Sequence, residues 1–456
     1  MLNPRTGERI GEIPAGSPAA ARAAVQAARA AFGGWARTPA ADRAGLLKAA
    51  ARALRTRADE LAELQAAEGG KSAADSLGGV EAGIGALEQY AELGPLHRGK
   101  SLHGAWDATD LVVCEPFGVA ALLVPWNDPV AIALQVIAAV LVTGNTAVFK
   151  PSEKTPLSGA LLAEIVASEL PEGVLVALQG DGRAGAPLVA DPEVALVLHT
   201  GSVATGREIA GVCAAQLKKA VLELGGKDAL IVDAGVDPGW AAAQAGAGAF
   251  ANAGQICTSA ERIYVHADVA DAFVAALVIE AGRTEIGPMV DAGQREWVAG
   301  HVDEARAAGA SVRCGGEVPD GEGFAYPPTV VVGVNGSMRI MVEETFGPVA
   351  AVQVVSSFDE ALVEANAGAY GLAATVLTPS QAHAQRAWRE LRAGTVKVNA
   401  MWGGAPGGAA EPRGQSGLGA GYGPELLDEV TRLKVVHLAP AQVAPAPADA
   451  PHEPAP

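Results

Sequence analysis

The chain is poor in cysteine, in clustered metal ligands and in positive charge, and each shortage removes a class of function. Its 456 residues include four cysteines, Cys114, Cys213, Cys257 and Cys314. They lie far apart, with no Cys-x-x-Cys pair and no clustered histidines, so neither a disulfide framework nor a metal site is expected. A reducing compartment, the cytoplasm, fits such usage best. Lys and Arg number 33 against 51 Asp and Glu, a net charge of -18. That surplus of carboxylates repels phosphate backbones and anionic lipid, which argues against nucleic acid and membrane partners. Long hydrophobic runs are lacking as well. The most apolar stretch, Val130 to Val142, follows Pro125-Trp-Asn-Asp-Pro129 and falls short of the roughly 20 residues that span a bilayer. It reads as a buried helix. The amino end, Met1-Leu-Asn-Pro-Arg-Thr-Gly7, is polar and turn-like and does not resemble a signal peptide.

What is present is core material. Half of the residues are apolar, enough for two or three packed domains. Ser17-Pro18 opens an Ala-rich helix with a serine cap and proline in the first turn. A second helix is expected from Thr38-Pro39, with Leu47, Leu54 and Leu61 at helical spacing, ending at Gly69-Gly70. From Val112 short apolar strands appear: Val112-Val113, Val119 to Val124, Ala147 to Phe149, Val174 to Leu178 and Val194 to Leu198. Helical stretches at Leu157 to Leu170 and Thr205 to Ala214 lie between and after them. Alternation of this kind predicts an α/β fold with a parallel sheet of the dinucleotide-binding type. Ligands then sit at the carboxyl ends of the strands.

Three loops at such ends carry chemistry. Val124-Pro-Trp-Asn127 offers an uncharged amide that suits a developing oxyanion, or else a cap for the next helix. Phe149-Lys-Pro-Ser-Glu153 sets Lys150 and Glu153 around a turn, either to hold the two hydroxyls of a ribose or as a surface ion pair. Thr200-Gly-Ser-Val-Ala-Thr-Gly206 runs from a strand into a helix whose free N–H groups suit a pyrophosphate, although ordinary helix starts look the same. Further on, Asn252-Ala-Gly-Gln-Ile-Cys-Thr258 exposes a lone thiol among small neighbours, and Leu222-Glu-Leu-Gly-Gly-Lys227 supplies a carboxylate beside two glycines. A thiolate attacks carbonyl carbon well, and a carboxylate can handle the protons. A lone cysteine also serves as small core filler.

Together these stretches resemble the NAD(P)-dependent aldehyde dehydrogenase superfamily. Pro-Trp-Asn, Lys-Pro-Ser-Glu, Thr-Gly-Ser, Glu-Leu-Gly-Gly-Lys and Gly-Gln-Ile-Cys occur in the family's order, followed by Glu343-Glu-Thr-Phe-Gly-Pro348 and Gly394-Thr-Val-Lys-Val-Asn399. The likeness extends from Asn3 to Leu438. It implies a Rossmann-type NAD-binding domain at 1–95 and 117–225, an α/β catalytic domain at 226–424, and a small bridging or oligomerisation sheet from 96–116 and 425–438. The Pro/Ala-rich segment 439–456 is expected to be a disordered tail. By the same resemblance Cys257 attacks an aldehyde, Asn127 and the Cys257 N–H hold the oxyanion, and Glu223 activates water against the thioester. Trp126, Gly201, Ser202 and Gly206 are matched to the cofactor site, with Ser202 at the pyrophosphate, Lys150 and Glu153 at the adenine ribose, and Glu344 and Phe346 at the nicotinamide end. Glu153 would repel a 2′-phosphate, so NAD is expected, with NADP possible. Leu433-Lys-Val-Val-His-Leu438 resembles a final strand that joins a neighbouring subunit, which implies a homodimer or homotetramer.

The chain departs from the pattern in places. Val136 and Gly421 stand where the family has a lysine and a glutamate associated with proton relay, which leaves water or Glu223 alone as the way out for protons. The entrance loop is reduced to Pro412-Arg-Gly-Gln-Ser-Gly417 after the Gly-rich stretch from Gly403 to Ala410. Asp128 can read the ammonium of an amino-aldehyde, or cap a helix ahead of Pro129. His199 stands where many relatives have phenylalanine. Two alternative functions remain at this level, a CoA-acylating dehydrogenase, against which Glu223 argues, and a catalytically silent binder of NAD or of a partner protein.

Overall fold

The computed structural model describes residues 1–404 and 408–442. The expected tail therefore lies outside the described residues from 443 onward, as do residues 405–407 of the Gly-rich stretch.

Two parallel sheets dominate. The first has six strands, in the order Gly417–Leu418, Lys219–Leu224, Val194–Gly201, Val119–Leu123, Thr146–Lys150 and Leu175–Ala177. All its pairs are parallel except the antiparallel edge between Gly417–Leu418 and Lys219–Leu224. The parallel strands begin at Val119 and spread both ways, so the order reverses between Val119–Leu123 and Val194–Gly201. A crevice at the carboxyl ends of those two strands is where such sheets take ligands. The loops that follow them are Val124 to Asn127 and Ser202.

Both faces of this sheet are covered, which is why its strands read as continuous apolar runs rather than alternating ones. Ala120 and Leu122 face the core built with the Pro129–Val142 helix, whereas Val119, Ala121 and Leu123 face the core built with Val25, Ala28 and Leu188. Leu122 is fully buried, and a side chain of that size contributes roughly 1.5–3 kcal/mol by leaving water. The Pro129–Val142 helix is apolar apart from Gln135 because it is largely enclosed; no helix among the described residues is long and apolar enough to cross a membrane.

The second sheet has seven strands, in the order Ser311–Cys314, Thr329–Val332, Val349–Val355, Ala260–His266, Asp228–Val232, Ala373–Leu377 and Thr395–Val398. It is parallel apart from the first pair. Gly225 to Lys227 carries the chain from one sheet to the other, so Glu223 is the penultimate residue of a strand of the first, close to where the second begins. A small antiparallel sheet of Lys100–Leu102, Thr109–Pro116 and Thr431–Leu438 stands apart.

The five expected strands are present, and Ser17 caps its helix by accepting the N–H of Ala20. The second helix differs from expectation. It breaks at Arg57 (φ -121°, ψ 21°) into Ala40–Thr56 and Ala58–Gly69. The apolar spacing continues across the break because Leu47, Leu54 and Leu61 share one core, so periodicity alone gave no sign of it.

Candidate active site

Cys257 is delivered by an unusual piece of backbone. After the Pro238–Phe250 helix, Asn252, Ala253 and Gly254 all adopt left-handed conformations (φ 49°, 54° and 69°). For residues other than glycine this costs of order 1–3 kcal/mol each, so the surroundings must hold it. Gln255 does much of that holding. Its Oε1 accepts the N–H of Val290 at 2.9 Å, and its Nε2 donates to the carbonyls of Asn252 at 3.1 Å and Pro288 at 3.3 Å. Gly254 is required by its φ and by space, since a Cβ there would fall 2.0 Å from the carbonyl oxygen of Gly347. The cysteine loop is thereby pressed against the segment that carries Glu344 and Phe346.

Asn127 is tied to the same loop. Its Nδ2 donates to the carbonyl of Gln255 at 3.1 Å, and Asn252 Nδ2 donates back to the Asn127 carbonyl at 3.4 Å. The amide has a second N–H to offer. The cap position of the following helix belongs to Asp128, so Asn127 is not a cap.

Cys257, Asn127 and Glu223 line one cavity of about 480 Å³, together with Trp126, Gly201, Ser202, Glu344 and Phe346. Trp126 and Phe346 meet edge to face, 5.4 Å between centroids. A neighbouring cavity of about 430 Å³ shares Trp126, Gly201 and Ser202 and adds Lys150, Glu153 and His199. Both open at the carboxyl ends of the first sheet's strands. Ser202 caps the Val203–Ala215 helix by accepting the Thr205 N–H at 3.3 Å, and the first-turn amides are where an anion is stabilised. Gly206 lies outside both cavities. It is there for packing, because a Cβ would fall 2.4 Å from Leu224 Cδ2. Lys150 is buried and Glu153 half exposed, 3.7 Å apart, and the ammonium also donates to the carbonyls of Pro151 and Gly180. Against the surface-pair reading, one partner is thus buried at the cavity wall.

The electrostatics sort these groups. Burial, and then the charges of Asp228, Glu344 and Glu223, push the Cys257 thiol up to about 12, so it is protonated at neutral pH in the protein alone. Burial raises Glu223 to about 7, opposed by the N–H of Gly421, which donates to its Oε1 at 2.9 Å. Glu344 is raised by burial and by the charge of Glu261, while Gly226 N–H donates to it at 3.1 Å. Burial lowers His199 to about 4, leaving a neutral imidazole on the second cavity.

Sequence reasoning missed the support beneath Phe346, whose φ of 51° is left-handed. Glu261 Oε2 accepts the Thr345 N–H and Oε1 the Phe346 N–H, both at 2.8 Å. Lys227 Nζ donates to Glu261 at 2.6 Å and to Thr345 Oγ1 at 2.9 Å, and both charged residues are buried. The available signal was a Glu-Arg pair inside the apolar strand Ala260–His266. Glu261→Ala would leave the buried Lys227 ammonium without its counter-charge and the Thr345 and Phe346 N–H groups without their acceptor. We expect a loss of about 3–5 kcal/mol in urea unfolding, with weaker cofactor binding in the folded fraction. Unchanged stability would remove Glu261 from this role.

Asp128 meets neither expectation in full. It occupies the cap position, but its side chain does not cap; it pairs with Lys71 at 3.1 Å. Val136 is buried in the core of the first sheet.

The model of the aldehyde dehydrogenase family matches residues 1–436. The chain belongs to that family. Among solved structures it is similar to the lactaldehyde dehydrogenase of Escherichia coli, with 34% identity over 96% of this chain and 94% of that one and a TM-score of 0.93. It is similar to the betaine aldehyde dehydrogenase of Staphylococcus aureus in complex with NAD+, with 31% identity over 98% and 93% and a TM-score of 0.94. It is also similar to a 3,6-anhydro-L-galactose dehydrogenase in complex with NADP, with 32% identity over 96% and 95% and a TM-score of 0.93. This aldehyde dehydrogenase is therefore an oxidoreductase with the aldehyde dehydrogenase fold, and its relatives support a nicotinamide cofactor. The two adjoining cavities, with a capped helix start at their junction, suit a dinucleotide in size and chemistry.

Proposed function

We propose that this enzyme oxidises an aldehyde to its carboxylic acid with NAD, through a thiohemiacetal and then a thioester on Cys257. The single observation that supports this most is the convergence of Cys257, Asn127 and Glu223 on one cavity. Bound NAD supplies the acceptor for a hydride and a positive charge on its ring. The residues do the rest. Cys257 sulfur bonds to the aldehyde carbon as its proton passes to solvent, and the oxygen gains the negative charge. The free N–H of Asn127 and the Cys257 N–H meet that oxyanion. Loss of hydride from carbon leaves the thioester. Glu223 then takes a proton from water as its oxygen bonds to the acyl carbon; the C–S bond breaks and the sulfur is reprotonated.

Lys150 and Glu153 would hold the adenine ribose, and the Glu153 carboxylate favours NAD over NADP. Asp128, already matched by Lys71, gives no reason to favour an amino-aldehyde. The four cysteines are free, which supports a reducing compartment such as the cytoplasm. The strand Thr431–Leu438 is a sheet edge with Leu433 and Val435 exposed, which supports a homo-oligomer joined there. Sedimentation as a monomer would contradict that contact.

The reading is tested by a panel of aliphatic, aromatic and hydroxylated aldehydes, each with NAD and with NADP, with and without CoA. We expect acid as product, no need for CoA, and higher kcat/KM with NAD. A CoA-dependent product, or no NADH from any aldehyde, would overturn it.

A further inference from the structure

Gly421 is in direct contact with the carboxylate of Glu223. Its N–H donates to Glu223 Oε1 at 2.9 Å, and its carbonyl accepts from Gln135 Nε2 at 2.8 Å. The two peptide groups that flank Gly421 are thus held, one by the carboxylate and the other by the Pro129–Val142 helix. The segment around Gly421 is fixed to the strand that carries Glu223 and to the Ala73–Leu93 helix. Gly417 pairs with Glu223 in register, Leu224 N–H donates to the Ser416 carbonyl at 2.8 Å, and Tyr90 donates to the Gly423 carbonyl at 3.0 Å.

The backbone does not call for glycine here, because Gly421 is absent from the residues of positive φ. The side chain of Glu223 does. A Cβ at position 421 would lie 2.1 Å from Glu223 Cγ, 2.4 Å from Oε1 and 2.6 Å from Cδ. Distances so short cannot be met without moving the carboxylate. Gly421 therefore supplies two things at once, an amide to hold the carboxylate and the space in which it sits.

We propose that Gly421 is a positioning residue for Glu223: its bare backbone, anchored through its carbonyl by Gln135, is the dock that fixes where the carboxylate waits and how readily it loses its proton. The proposal rests on the reading of Glu223 as the group that activates water. Its chemistry follows from the contacts. An N–H aimed at a carboxylate favours the charged form, which is the form able to take a proton from water. Burial works in the opposite direction. Other titratable or charged groups facing the cavity are Cys257, Glu343, Glu344, Tyr370 and Arg207. Removing the amide contact therefore raises the pH at which the base becomes available.

The test is Gly421→Ala in the full enzyme, followed by the NADH burst and the steady-state rate across pH. Acylation does not use this contact, so burst amplitude should stay within about twofold of wild type. Steady-state turnover should fall about 10- to 100-fold, the scale of a misplaced group, and its acidic limb should move to higher pH. Wild-type turnover with an unmoved limb would overturn the proposal. Glu223→Gln separates the two readings: if it blocks turnover and Gly421→Ala does not, only the dock is lost, whereas turnover retained in Glu223→Gln removes the base itself. Should Gly421→Ala fail to fold, Gln135→Leu frees the Gly421 carbonyl without the clash. It should shift the limb in the same direction by a smaller amount, and an unmoved limb there counts equally against the dock.

Discussion

Cys257→Ala should abolish NADH production from every aldehyde, by on the order of 10^4-fold or more, with no burst. The size follows from chemistry that has no substitute once the nucleophile is gone. Each remaining cysteine lies elsewhere in the fold. Cys114 lies in the Thr109–Pro116 strand of the small sheet, Cys213 is buried in the Val203–Ala215 helix, and Cys314 ends a strand at the far edge of the seven-stranded sheet. None of them lines the cavity that holds Asn127 and Glu223. Cofactor affinity should change little, because the second cavity, with Lys150 and Glu153, does not include Cys257. Stopped-flow absorbance and a binding titration check both halves. A burst of wild-type amplitude from Cys257→Ala would mean that the thiol is not the nucleophile.

Glu223→Gln should separate the two halves of the reaction. The amide is nearly isosteric, so the first turnover of NADH should be preserved while steady-state turnover falls about 10²- to 10⁴-fold, the usual contribution of a general base. In the wild type, a carboxyl raised to about 7 is mostly protonated below that pH and cannot accept a proton from water. Turnover should therefore rise through neutrality as the base ionises, with the limb near pH 7, and Glu223→Gln should lack that limb. If the burst disappears as well, Glu223 takes the thiol's proton in addition. If turnover and its pH dependence match wild type, Glu223 is not the base.

The parts of this enzyme that were legible in the sequence are those whose cause is local or repeated. Val119 to Val124 and Val194 to Leu198 are apolar throughout because both faces of their sheet are covered, and the loops after them follow from the parallel alternation. Cys257 and Glu223 stood out because glycines and small residues surround them. Contacts that depend on tertiary approach left no such trace. Asp128 and Lys71 are paired although distant in sequence, and the same Asp-Pro signal would have served a cap or a substrate contact. Gly421 looked like a loss, a position without a charged side chain, whereas its amide holds Glu223. Glu261 lay within a strand whose apolar pattern drew attention away from it, and its function depends on a loop from residues 344–346 reaching it. The break at Arg57 was hidden for a related reason: the leucines on either side serve one core.

The most direct measurement is the mass of the enzyme caught between the two half-reactions. Glu223→Gln protein, mixed with NAD and a single aldehyde and quenched in acid during the burst, should carry one acyl group per chain, mapped by peptide digestion to Cys257. NADH formed with Cys257 unmodified, or an acyl group found on any other residue, would contradict the account.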